Sequence, residues 1–226
     1  MKNPTAIIFD IDDTLVDTTP SYRGSIIATV SFFGGVCTYG DISKIKAAGD
    51  ANNDWAVTHN ILAEQNIDVS PDKVTKKFEE FYQGTETNPG LKFKESLLVE
   101  TALLKELYAQ YRLGIVTGRP RKDALWFLKS NNIEHLFGAV VTMDDAPLKP
   151  SGEPVLLAAK KLGVPVERAW MIGDTPDDIR SAVAAGAVPI GVIGPDDEPV
   201  AAQGALIDAG AVDVWQNINH IKKVLH

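Results

Sequence analysis

The chain has 226 residues, a formal net charge of −8 and a single cysteine, Cys37. A chain of this length can bury a full hydrophobic core without disulfide bonds, and its composition is that of a globular protein of one large or two small domains. No cluster of lysine and arginine is longer than two residues, which disfavours nucleic acid and membrane surfaces as partners. The lone cysteine, and a start without the apolar region of a signal peptide, predict a cytoplasmic protein.

Short apolar runs alternate with helical segments along most of the chain. The runs are almost continuously apolar, as in strands that are buried on both faces of a parallel sheet. Pro120 is predicted at a first helical position, and Gly163 and Gly186 are predicted at helix ends. This alternation predicts an α/β fold with a doubly wound, mostly parallel, Rossmann-like sheet. The predicted strands are residues 5–9, 113–117, 139–142, 169–172, 188–193 and 211–214.

One interval departs from the alternation. Residues 17–96 contain helical patterns and no convincing strand, and the predicted helices are 21–33, 53–65 and 71–83. Ser70 is expected to cap the third of these helices. A helical insertion between the first two strands predicts two parts. They are an α/β core of residues 1–16 and 97–226, and an all-helical cap subdomain of residues 17–96.

Polar and charged residues follow several predicted strands at their carboxyl ends, where open α/β sheets bind ligands. Crowded carboxylates repel one another unless a cation holds them, and hard oxygen ligands suit Mg²⁺. A hydroxyl, a backbone N–H after a glycine turn and a lysine ammonium together suit a phosphate group. The combination favours phosphoryl transfer. The residues are Asp10, Asp12, Asp13, Thr117, Gly118, Arg119, Lys149, Asp174, Asp177 and Asp178.

Four short motifs carry a resemblance to a known family. The segment FDIDDT, which ends at Thr14, resembles the DxDxT motif of the haloacid dehalogenase superfamily. Thr117 in IVTGR, Lys149 in LKP and the segment GDTPDD from Gly173 resemble the second, third and fourth motifs, in the family's order. The helical insertion resembles that of the subfamily with phosphoglycolate phosphatase-like enzymes. The resemblance implies a Mg²⁺-dependent phosphatase that hydrolyses a small organic phosphate monoester through an aspartyl-phosphate.

The resemblance also implies a role for each motif residue. Asp10 would be the nucleophile, and Asp12 would protonate the leaving alcohol and then activate water. Many relatives have glycine where this chain has Asp13, which adds an acid without an assigned role. Mg²⁺ would be held by the carboxylate of Asp10, the backbone carbonyl of Asp12 and Asp174. The phosphoryl oxygens would be held by Thr117, the Gly118 amide and Lys149. Asp178 would support the metal site or Lys149 without touching the substrate.

Three further residues are candidates for contact with the substrate. Arg119 directly follows the phosphate-binding turn. Arg23 either reaches the site from the first helix of the insertion or lies in solvent. Asn53 belongs to the segment NNDW, which is either a helix N-terminus or a substrate-selecting loop. For Asp177, the favoured interpretation is an acid that complements the dipole of its helix.

Other functions remain open at this point. A phosphomutase would use the same core but return the phosphate to its substrate, and a non-catalytic module would only bind a phosphorylated metabolite. A dehalogenase is disfavoured because it would need neither Asp12 nor Asp174. The predicted partner is a small phosphorylated metabolite, and the predicted state is a monomer or a homodimer.

Overall fold

A computed structural model describes residues 3–49 and 53–225 of the chain. Its strands are β1 (Ala6–Phe9), β2 (Val16–Asp17), β3 (Ser96–Leu97), β4 (Arg112–Val116), β5 (Ala139–Val141), β6 (Ala169–Gly173), β7 (Val188–Val192) and β8 (Asp213–Trp215). Its α-helices are α1 (Gly24–Phe32), α2 (Tyr39–Ala48), α3 (Asp54–Glu64), α4 (Pro71–Gln83), α5 (Thr101–Gln110), α6 (Arg121–Ser130), α7 (Glu153–Leu162), α8 (Pro176–Ala185), α9 (Pro199–Ala209) and α10 (Ile221–Leu225).

Six of these strands form one parallel sheet in the order β5-β4-β1-β6-β7-β8. The chain runs outward from β1 in both directions, so the predicted α/β class with a doubly wound, Rossmann-like sheet is confirmed. The first five predicted strands agree with the observed ones to within one residue at each end. The sixth prediction, 211–214, is displaced, because the observed strand is Asp213–Trp215.

Both faces of the sheet are buried. Along β1, Ile7 and Phe9 belong to an apolar cluster that includes Leu104 of α5. Ile8 belongs to a different cluster, which includes Val155 of α7. Successive side chains of a strand point to opposite faces, so an all-apolar strand requires a helical layer on each side. This explains why the strands appear in the sequence as continuous apolar runs.

Two of the three predicted helix boundaries agree with the structure. Gly163 and Gly186 end α7 and α8 in the left-handed conformation, with φ of 67° and 80°. The prediction for Pro120 is wrong by one position, because Pro120 is extended (ψ 147°) and α6 begins only at the next residue.

Among the described residues, no helix combines the length and the apolar character needed to cross a bilayer.

Helices α1 to α4 surround an apolar core of their own between β2 and β3. This segment is called the helical insertion below. The short antiparallel pairing of Val16–Asp17 with Ser96–Leu97 closes its two ends. That pairing was not predicted, because two-residue strands leave no pattern of their own. The buried residues of this core are Tyr22, Ile26, Val30, Ile42, Val57, Ile61, Leu62, Val74, Phe78 and Tyr82.

The helices of the insertion differ from the prediction in three respects. The first begins with a π-helical turn, Thr19–Arg23, before α1. Ser70 precedes α4 but makes no capping hydrogen bond with its side chain. Helix α2 was not predicted, although Thr38 and Asp41 form a capping box at its start. A Thr-x-x-Asp pattern is a recognisable signal for a helix N-terminus, so this helix could have been found from the sequence.

Candidate active site

Three adjacent strands end at polar residues of the predicted site. Asp10 follows β1, Thr117 follows β4 and Asp174 follows β6, and β1 lies between the other two strands. Each of the three residues is at most 5% exposed. In a parallel sheet these carboxyl ends share one edge, so residues far apart in sequence become neighbours. One cavity at this edge is lined by Asp10, Asp12, Lys46, Asp54, Gly118, Lys149, Asp174 and Thr175.

Lys149 connects two of the acids at this edge. Its Nζ lies 2.9 Å from Oδ1 of Asp10 and also donates to Oδ1 of Asp178. Asp178 is held in turn by the amide and hydroxyl of Thr175, at 3.0 and 2.6 Å. Burial alone would lower the pKa of Lys149, but the charges of Asp10 and Asp178 outweigh it and raise that pKa. The ammonium is therefore fixed as a cation beside Asp10.

The acids also form a group with the geometry of a cation site. Asp10, Asp174 and Asp178 each offer a carboxylate oxygen, and these oxygens lie within 4.8 Å of one another. Burial raises the pKa of Asp10 to about 7 even though Lys149 opposes that effect. Burial, together with the charges of Asp13 and Asp178, raises the pKa of Asp174 well above its ordinary value. A divalent cation would compensate this excess of buried negative charge, so the residues fit Mg²⁺.

Arg119 lies at this site, but its partners are acids of the protein. The guanidinium is fully buried and donates to Oδ1 of Asp12 from Nε (2.8 Å) and Nη2 (2.6 Å). It also pairs with both carboxylate oxygens of Glu95, at 3.0 and 3.1 Å. Its backbone N–H donates to Oγ1 of Thr117, at 3.1 Å. Arg119 also lines a small cavity with Asp12 and Gly118, so the substrate contact that the sequence suggested for it stays a prediction.

Arg23 is also buried, so the alternative of a solvated side chain is wrong. Its Nε and Nη2 donate to Oδ2 of Asp13, at 2.9 and 2.6 Å, and Nη2 lies 3.3 Å from Asp197. Asp13 also accepts from the amide and hydroxyl of Thr18, at 3.0 and 2.6 Å. The acid that departs from the family pattern thus joins the first strand's loop to the insertion. Asp177 is buried 3.5 Å from Arg180 on the same helix.

Asn53 is the N-terminal cap of α3. Its side chain accepts from the amide of Ala56, at 3.1 Å. It also lines a small cavity with Asp12, Tyr22 and Trp55. The helix N-terminus is therefore confirmed for this residue, and its contact with the substrate stays a prediction. The first residue of that segment, Asn52, lies outside the described residues.

Two charged residues of the insertion lie at the site: Lys46, which was not predicted there, and Asp54, which belongs to the NNDW segment. Lys46 of α2 lines the cavity beside Asp10 and lies 3.4 Å from Oδ2 of Asp13. Asp54 lines the same cavity, and burial raises its pKa to about 6, against the opposing charge of Lys46. Lys46 belongs to no motif. Because helix α2 was not predicted, Lys46 could not be assigned to a helix face from the sequence.

The fold and this cluster of acids and lysine define a haloacid dehalogenase-like hydrolase. The profile of that family matches residues 7–192, and the chain belongs to the family. A solved structure of a haloacid dehalogenase-like protein from Agrobacterium tumefaciens is similar with a TM-score of 0.78 over 99% of this chain and 98% of that one, at 19% identity. At that identity the similarity supports the fold alone. The predicted family and enzyme class are confirmed.

Two curated relatives cover most of the chain. A pyrophosphatase PpaX from Bacillus velezensis is 31% identical over 84% of this chain and 84% of its own. An imidazoleglycerol-phosphate dehydratase from Phytophthora nicotianae is 43% identical over 86% of this chain. The chain spans only 45% of the length of that dehydratase. The similarity is thus to one portion of the longer relative.

Proposed function

We propose that the protein is a Mg²⁺-dependent phosphatase that hydrolyses a small organic phosphate monoester through an aspartyl-phosphate on Asp10. The observation that carries the proposal is the environment of Asp10 at the end of β1. A buried carboxylate lies 2.9 Å from the Lys149 ammonium and within 4.8 Å of two further carboxylate oxygens. An ammonium and a cation site around one carboxylate suit the transfer of a phosphoryl group to it.

The residues of the site divide the work of the reaction. Asp10 attacks phosphorus, while Lys149, the Thr117 hydroxyl and the Gly118 amide hold the phosphoryl oxygens. Asp12 protonates the departing alcohol and later takes a proton from the water that releases phosphate. Asp10, Asp174 and the backbone carbonyl of Asp12 would hold Mg²⁺, which would supply positive charge beside the phosphoryl group. Asp178 keeps Lys149 in place through their ion pair.

The helical insertion, residues 17–96, is the proposed cap. Lys46 and Asp54 of the insertion line the same cavity as Asp10, so they enclose whatever occupies it. An enclosed site excludes bulk water and lets the cap select the alcohol part of the ester. The names of the two curated relatives refer to pyrophosphate and to a phosphate ester of an imidazole-bearing polyol. We therefore include an imidazole-bearing phosphate ester among the candidate substrates.

The setting we propose is the cytoplasm, since Cys37 is free. The partner is a small phosphorylated metabolite. A phosphomutase would use the same residues up to the aspartyl-phosphate and differ only in the acceptor. Release of inorganic phosphate from a panel of phosphorylated metabolites distinguishes the two, because a mutase would return the phosphate to an organic product.

Metal removal tests the proposed cation site. Turnover of an aryl phosphate should stop with EDTA and return with Mg²⁺, because the carboxylates would otherwise repel the phosphate dianion. Asp174→Asn should raise the Mg²⁺ concentration for half-maximal rate by at least roughly 10-fold, and high Mg²⁺ should partly restore the rate. A Mg²⁺ titration of turnover measures both effects.

Asp208→Asn, in an exposed acid of α9, is the matched control, and its turnover should depend on the Mg²⁺ concentration as that of the wild type does. Equal rates in EDTA and Mg²⁺ would refute the metal dependence.

A further inference from the structure

We propose that Arg119 is a positioning residue for Asp12, and that Glu95 and Tyr82 of the insertion hold Arg119 in that place. The inference rests on the proposed function, since it concerns the proton transfer that Asp12 performs there. It gives Arg119 a role in the site that does not require contact with the substrate.

The guanidinium of Arg119 binds one carboxylate oxygen of Asp12 and not the other. Nε and Nη2 converge on Oδ1, at 2.8 and 2.6 Å. Within the described residues, 3–49 and 53–225, no donor forms a hydrogen bond with Oδ2 of Asp12. The side chain of Asp12 is 20% exposed to solvent. A carboxylate held at one oxygen can rotate little, so the direction of the other oxygen is restricted as well. General acid–base catalysis needs this geometry, because the proton must pass over hydrogen-bond distance.

Arg119 is itself fixed from the opposite side. Glu95 pairs with Nη1 and Nη2, at 3.1 and 3.0 Å, and its side chain is 2% exposed. The hydroxyl of Tyr82 on α4 lies 3.3 Å from Nη1. The guanidinium carbon also lies 4.8 Å from the ring centre of Tyr22 and 5.2 Å from that of Phe127. The carboxylates of Asp12 and Glu95 and the two aromatic rings thus compensate the charge of a planar, fully buried guanidinium.

The partners of Arg119 come from both parts of the molecule. Asp12 follows β1 and Phe127 lies on α6, whereas Tyr22, Tyr82 and Glu95 belong to the helical insertion. Displacement of the insertion would remove Glu95 and the two tyrosines from Arg119. The orientation of Asp12 therefore depends on the docked position of the insertion, and an undocked insertion leaves the acid–base group unsupported.

Arg119→Lys tests this inference, because lysine keeps the charge but lacks the planar fork of donors with which arginine pairs with Asp12 and Glu95. We expect turnover of an alkyl phosphate to fall about 10²-fold, as a misplaced catalytic group typically does. Turnover of a nitrophenyl phosphate should fall much less, because a good leaving group needs little protonation. The alkyl-to-aryl ratio should change no further when Arg119→Lys is added to Asp12→Asn, since both changes act through one group. Arg121→Lys, two residues further on at the start of α6 and with a side chain that is 40% exposed, is the matched control and should leave the ratio unchanged.

A second measurement separates positioning from loss of structure. Beryllium trifluoride mimics a phosphoryl group on a carboxylate and needs no proton transfer, so ¹⁹F NMR should show its Mg²⁺-dependent complex in Arg119→Lys as in the wild type. If the complex is lost, or if both esters lose equal activity, Arg119 has a structural role and the inference is overturned. Glu95→Gln is a milder variant and should shift the ratio in the same direction. If the wild type neither hydrolyses an ester nor forms the complex, the proposed function is refuted, and the inference about Arg119 is refuted as well.

Discussion

Asp10→Asn is expected to lower phosphatase turnover by at least about 10⁴-fold, because an amide oxygen is a poor nucleophile and the aspartyl-phosphate cannot form. The substitution keeps the size of the side chain. It also removes a carboxylate whose pKa burial raises to about 7, so the fold should not depend on its charge. Lys149 keeps its ion pair with Asp178 in the variant.

Rapid acid quenching with ³²P-labelled substrate provides the direct measurement. The wild type should carry acid-stable label on Asp10, and the variant should carry none. The thermal unfolding midpoint serves as the control for folding. Labelling of Asp10→Asn, or turnover close to that of the wild type, would exclude Asp10 as the nucleophile.

Asp13→Gly is expected to lower the free energy of unfolding by about 3 kcal/mol or more at neutral pH, because it leaves the buried Arg23 without its main partner. The substitution adds no backbone strain, since Asp13 has φ of 53°, a conformation that glycine adopts freely. The double variant Asp13→Gly with Arg23→Met should lose less than the sum of the two single losses, because it leaves no unpaired charge. Urea unfolding measures all three values. Asn132→Gly has the same φ of 53°, is exposed and serves as the control, with an expected change within about 0.5 kcal/mol.

The effect of Asp13 should also depend on pH. Burial would raise the pKa of Asp13, but the charges of Lys46 and Arg23 and the hydrogen bonds of Thr18 outweigh it and hold that pKa well below its ordinary value. A carboxylate with a lowered pKa in the folded state stabilises fully above the unfolded pKa of about 4, and that stability is lost as the pH falls further. The difference between wild type and Asp13→Gly should therefore narrow below about pH 4. A constant difference would show that the ion pair does not carry the effect.

The order of elements and the motif residues could be predicted from the sequence because both are local. Buried parallel strands are continuous apolar runs, and Asp10, Thr117 and Asp174 each lie one residue beyond the end of an observed strand. Parallel pairing then brings their strand ends to one edge without further information. The errors are also local ones: the apolar residues of α2 do not gather on one helical face, and strands of two residues give no pattern at all.

The partners of the charged residues were decided only by the tertiary structure. Arg119 contacts Asp12, 107 positions away, and Arg23 contacts Asp197, 174 positions away. An ion pair depends on the separation of two charged groups and on their burial, and both follow from how the insertion packs on the sheet. The same arginines would be ordinary surface cations if the insertion packed elsewhere. The sequence therefore determined which acids and lysine gather at the sheet edge, whereas packing determined that Arg119 supports Asp12 and that Asp13 binds Arg23.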